Sequence, residues 1–92
     1  MKPQLIAVAT KLAEKTPLYM VTRGAIAKKA KVAPSLVSFY VGTLDEMRAD
    51  IVTLAIETNN VAALASAIRA NHPGVANAPK AMRMAAAKLL AA

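Results

Sequence analysis

Residues 25–42 read AIAKKAKVAPSLVSFYVG, and helical periodicity runs through them twice, with a break at Val32-Ala33-Pro34. Ile26 and Ala30 stand one turn apart on the first segment, and Val37 and Val41 on the second. Apolar residues at that spacing mark a face turned toward a core. Proline disfavours the α conformation in the residue before it, so no single helix continues through Ala33. Pro34 itself is pre-set for the first turn of a new helix. This region must therefore fold as a helix, a turn of about three residues and a second short helix. Ala27 is small where two such helices cross, and Val32 plugs the turn into the core.

The surrounding chain is organised by similar signals. The hydrophobic fraction is 57%, mostly small and aliphatic, and aromatics are only 3%. Ala-rich, Gly-poor composition favours helices, and no period-2 alternation bounded by turn residues occurs. The expected fold is all-α, a small domain of five to six helices. Pro3 opens a first helix with Leu5, Ile6, Val8, Ala9, Leu12 and Ala13 as its stripe, ending near Lys15 ahead of Thr16-Pro17. Thr22 caps a second helix running to about Lys31. A third spans Pro34 to Val41, closed by Gly42. Thr43-Leu44-Asp45-Glu46 is a capping box opening a fourth, which carries Met47, Ile51, Leu54 and Ala55 to about Glu57. Thr58-Asn59-Asn60 either interrupts that helix or is crossed by it. Val61, Leu64, Ala65 and Ile68 form the next stripe, ended by His72-Pro73-Gly74. A last helix is expected from about Ala78 to Leu90, with Asn77 as its cap. Residues 1–57 form the helix-turn-helix region and 58–92 a pair of C-terminal helices in the same compact unit.

Charge narrows the function classes. The net charge is +7, and residues 1–44 hold seven bases against one acid, Glu14. Such a basic half suits a polyanion partner; a Lys-rich solvated surface is the plainer alternative. No cysteine is present, and the lone histidine, His72, cannot build a metal site by itself. Five scattered acids supply no nucleophile–base pair, so an enzyme is not expected, and no cofactor is. Asp45 and Glu46 read as caps rather than catalysts, and His72 as a loop residue. No apolar run is long enough to span a bilayer, and no signal peptide is evident. A cytoplasmic protein is the expectation.

Residues from about 4 to 55 resemble the DNA-binding region of the TetR family of bacterial repressors. The resemblance is carried by Thr22, Ile26-Ala27, Val32, Phe39-Tyr40, Gly42-Thr43 and Asp45-Glu46-Met47, in order and without a gap. It implies a DNA-binding regulator, a repressor acting on a palindromic operator. The chain departs from the family at four places. Lys31 stands where the family has Gly in the turn, and Ala33 where a hydroxyl caps the recognition helix. Ser38 and Leu44 replace a Tyr and a Lys that contact phosphate. No inducer pocket of the family's kind is expected, since the 35 residues after Glu57 in this sequence are too few for one.

On this reading Pro34, Ser35, Leu36 and Phe39 face base edges, where Leu36 or Pro34 can touch a thymine methyl. For Phe39, partial core burial is an equal alternative. Thr22, Arg23, Lys28, Lys29, Lys31, Ser38 and Tyr40 are left to grip the DNA backbone. Val61, Leu64, Ile68, Met82, Met84, Leu89 and Leu90 exceed what one small bundle must bury, so a homodimer is expected, through Val61, Leu64, Ile68, Met82 and Leu89; the alternative is that these helices cover the first and fourth helices. Two-fold dimers match symmetric sites. Other classes remain open: a protein-interaction module or antagonist built on the same scaffold, and, less in keeping with the internal caps, a cationic amphipathic membrane binder.

Overall fold

The computed structural model describes residues 1–91, with helices α1 (Lys2–Ala13), α2 (Arg23–Ala30), α3 (Pro34–Val41), α4 (Leu44–Glu57), α5 (Val61–Arg69) and α6 (Lys80–Ala91). No strand occurs among the described residues, so the all-α expectation holds. Pro3 sits in the first turn of α1, and Leu5, Ile6, Ala9 and Ala13 are buried along one side. Val8 and Leu12 complete the stripe as partly buried neighbours.

Three helices stop by the same device. Lys31, Asn59 and Asn71 take positive φ (60°, 53° and 60°). In each case the next residue's N–H reaches back to a carbonyl five positions earlier: Val32 to Ala27, Asn60 to Ala55, and His72 to Ala67. These hydrogen bonds satisfy carbonyls that a helix end leaves open. Asn is among the residues that visit this conformation most readily. Thr58-Asn59-Asn60 therefore interrupts the chain between α4 and α5, and Asn60 caps α5 by accepting from Ala63 N–H at 3.1 Å.

Two segments depart from the periodic reading. Leu18–Met20 forms a single 3₁₀ turn that buries Leu18, with Val21 buried behind it. One turn carries no repeat, so periodicity cannot reveal it. The last helix begins at Lys80 rather than Ala78. Pro79 disfavours helix at the residue before it, and Ala78 is extended and buried. Asn77 ends a 3₁₀ turn, Pro73–Asn77, instead of capping α6.

One continuous core joins all six helices. α1 packs on α2, α3, α4 and α5, α4 also packs on α5, and α6 lies against α5. Polar ties fasten α5 to the end of α1: Ser66 Oγ donates to the Thr16 carbonyl at 2.9 Å, and Asn60 Nδ2 donates to Glu14 Oε2 at 2.9 Å. This arrangement corrects part of the expected dimer set. Leu64 and Met82 are buried in the chain's own core, and Val61 and Ile68 pack against it partly buried. The reason is that α5 is enclosed by α1, α4 and α6. Of the five residues only Leu89 is exposed, at 52%, joined by Met84 at 55% on the same helix.

Candidate nucleic-acid interface

The pair α2–α3 is held at both ends by local chemistry. Thr22 is extended and its hydroxyl accepts from Ala25 N–H at 3.1 Å, so α2 starts where a cap starts it. Lys31 ends α2 in the left-handed conformation, at the position where the resembled family has Gly. Ala33 precedes α3 in extended conformation and offers no side-chain cap. At the far end of α3, Gly42 takes φ 74°, and an added Cβ would come within 3.0 Å of the Glu46 carboxylate. Arg23, from the first turn of α2, donates to the Gly42 carbonyl at 3.2 Å and so braces the end of α3.

The capping box of α4 is complete. Thr43 Oγ1 accepts from Glu46 N–H at 3.1 Å, and Glu46 Oε1 accepts from Thr43 N–H at 3.2 Å. The Thr43 backbone hydrogen bond, then the Thr43 side chain, hold the Glu46 carboxyl below its ordinary range, with Lys2 adding a smaller pull in the same direction. Asp45 and Glu46 both lie in the first turn of α4, where negative charge suits the helix dipole.

Val37 and Val41 turn inward from α3 and are fully buried. The opposite side carries the residues expected to face bases: Pro34, Ser35 and Phe39 are exposed and Leu36 is half-buried. Phe39 is 79% exposed, which removes the core alternative for its ring. It meets Tyr40 edge-to-face at 5.1 Å between centroids. Of the residues assigned to the DNA backbone, Thr22, Lys28, Lys29, Lys31, Ser38 and Tyr40 are exposed. Arg23 is half-buried and already engaged with Gly42, so its guanidinium is not wholly free for a ligand.

Ion pairing leaves the lysines available. Among the described residues the ion pairs are Lys2 with Asp50 at 3.1 Å and Arg48 with Asp45 at 3.9 Å. Lys28, Lys29 and Lys31 belong to neither. They gather at the end of α2 and in the turn, immediately before the exposed side of α3. Leu44 packs partly buried against the core.

Two features escaped the sequence reading. Arg48 reaches back from α4 to donate to the Tyr19 carbonyl at 3.2 Å, tying the loop before α2 to α4. Tyr19 and Met20 on that loop are exposed apolar residues beside buried Leu18. A sequence signal for the Arg48 brace is lacking, because the contact spans 29 residues.

No group of three or more histidine, cysteine or carboxylate residues able to hold a metal occurs among the described residues. No described helix is long and apolar enough to cross a membrane. No protein-family model, curated protein or solved structure matches the chain.

Proposed function

We propose that this chain is a small sequence-specific DNA-binding transcriptional regulator, acting as a homodimeric repressor on a palindromic operator. The observation that carries the reading is the run of exposed lysines without ion-pair partners, Lys28, Lys29 and Lys31, in the last turn of α2 and the turn that leads into α3. α3 then enters the major groove with its N-terminal residues toward base edges, while α2 crosses the backbone. The lysines neutralise phosphates and the α3 side chains choose the sequence, a division common to DNA-binding proteins. The TetR-like order of residues from Thr22 to Met47 supports the same docking, and such a regulator would work in the cytoplasm.

A second reading is favoured by specific residues. Ser38 and Leu44 remove two customary phosphate contacts, and Phe39 presents an aromatic ring to solvent. These suit a module that docks on a protein. Anisotropy with a labelled random-sequence duplex at low salt separates the two. Submicromolar binding supports the DNA reading, and a flat titration up to tens of micromolar would remove it in favour of the protein-docking one.

A further inference from the structure

The exposed side of α3 is chemically unusual for a reading surface. The whole helix, PSLVSFYV, holds no charged residue and no carboxamide. The pairings that give strong base discrimination need Arg or Lys on guanine, Asn or Gln on adenine, or a carboxylate on cytosine. None of these is available on α3. What remains is the hydroxyls of Ser35, Ser38 and Tyr40, which hydrogen-bond to bases without strong discrimination, and the apolar surfaces of Leu36 and Phe39. Phe39 lies four residues after Ser35 and three after Leu36, so the three share one side of the helix. Val37 and Val41 hold the opposite side in the core. The most exposed large apolar side chain of the described residues, Phe39 at 79%, thus crowns the face that points away from the protein.

A duplex offers one apolar group in its major groove, the 5-methyl of thymine. We infer that α3 reads 5-methyl groups: Leu36 and Phe39 form an apolar reader for 5-methylpyrimidines, selecting thymine and equally accepting 5-methylcytosine at the same places. This deepens the DNA-binding reading and rests on it. The lysines of α2 and the turn supply sequence-independent grip, and methyl burial supplies the choice.

The test uses the full chain and one duplex, the tightest binder selected from a random pool. It is resynthesised with deoxyuridine for thymidine, position by position, which removes only the methyl. Each methyl that is read should be worth about fourfold in affinity. Cytosine placed at a sensitive position should lose affinity, and 5-methylcytosine there should regain about the same factor over cytosine. Phe39→Ala, at an exposed site where folding does not depend on the ring, should flatten the thymidine-to-deoxyuridine ratio toward one. Binding of the random pool should fall by a smaller factor than binding of the selected duplex. Leu36→Ala gives a second variant with the same expectation, checked by thermal melting because Leu36 is half-buried.

Equal affinity for thymidine and deoxyuridine duplexes at every position overturns the inference while DNA binding itself stands. A methyl effect that persists undiminished in Phe39→Ala and Leu36→Ala also overturns it, because the effect then arises in the duplex rather than on α3. Absence of binding to any duplex at low salt overturns both the inference and the function it rests on.

Discussion

At the scale of single residues, Lys31 is the clearest conflict between local preference and the fold. An L-residue in the left-handed region costs about 1–2 kcal/mol, and Lys31 occupies it at φ 60°. Lys31→Gly should raise stability by about 0.5–1 kcal/mol, since relief of strain exceeds the greater freedom of glycine in the unfolded chain. For a domain of this size that is a rise in Tm of about 2–8 °C, read by circular dichroism. If Lys31 meets phosphate, the same variant should bind duplex DNA less tightly, so stability and affinity would move in opposite directions. Glu46 gives a pH signature. Its carboxyl sits below the ordinary range in the folded chain, so its contribution is present above that range and is lost as pH falls through the folded value. Thermal melts between about pH 6 and 3 should show the unaltered chain losing more stability than Glu46→Gln. Parallel curves would mean that the capping-box carboxylate adds nothing in solution.

At the scale of elements, α3 is the helix with the weakest local support and the most demanding task. It has eight residues, no side-chain cap at Ala33 and a proline-fixed first turn. An isolated helix of this length does not persist in water. Its stability comes from Val37 and Val41 in the core and from the Arg23 brace at Gly42. Ala33 is already extended, φ −69° and ψ 141°, as a cap must be. Ala33→Ser should therefore stabilise the domain by about 1 kcal/mol, seen as a shifted urea midpoint at constant slope. Gly42→Ala should act in the opposite direction and by more, because φ 74° with ψ −143° is a conformation essentially reserved for glycine and the added Cβ also closes on the Glu46 carboxylate.

At the scale of the whole molecule, the questions are charge and assembly. Exposed lysines that neutralise phosphates should give a linear fall of log affinity with log salt, of slope about −0.9 per phosphate. Lys28→Ala or Lys29→Ala should reduce that slope by about one per site and weaken preferred and random duplexes alike. A salt-independent affinity would refute phosphate contact. For the proposed homodimer, α6 is the C-terminal helix that keeps large apolar side chains in solvent, Met84 and Leu89. Met84→Glu and Leu89→Glu each place charge at an exposed position, so the fold should survive while a dimer mass falls to that of a monomer in sedimentation velocity. A monomer already present for the unaltered chain at micromolar concentration would dismiss the dimer. Leu64→Glu cannot serve as this test, because it would bury an unpaired charge in the core.

The amino-acid sequence by itself determined the helix boundaries around the candidate site. Pro34 to Val41 is the span expected and the span observed, and the Thr22 cap, the Gly42 stop and the Thr43–Glu46 box are all in place. Each of those rules acts over four residues or fewer: a fixed proline φ, a glycine at positive φ, a hydroxyl facing the next turn's N–H. The folded chain decided what local rules cannot reach. Val52 is buried as well as the face of Met47, Ile51 and Ala55, because α4 meets α1 on one flank and α5 and the Pro73–Asn77 turn on others. Leu64 and Met82 went inward and Leu89 outward, although all three look alike in a hydrophobic stripe. Phe39 stayed in solvent while Leu18, on a turn without periodicity, was enclosed. Periodicity states that a side of a helix is apolar; only the placement of neighbouring helices, fixed by contacts tens of residues apart, states whether that side is covered.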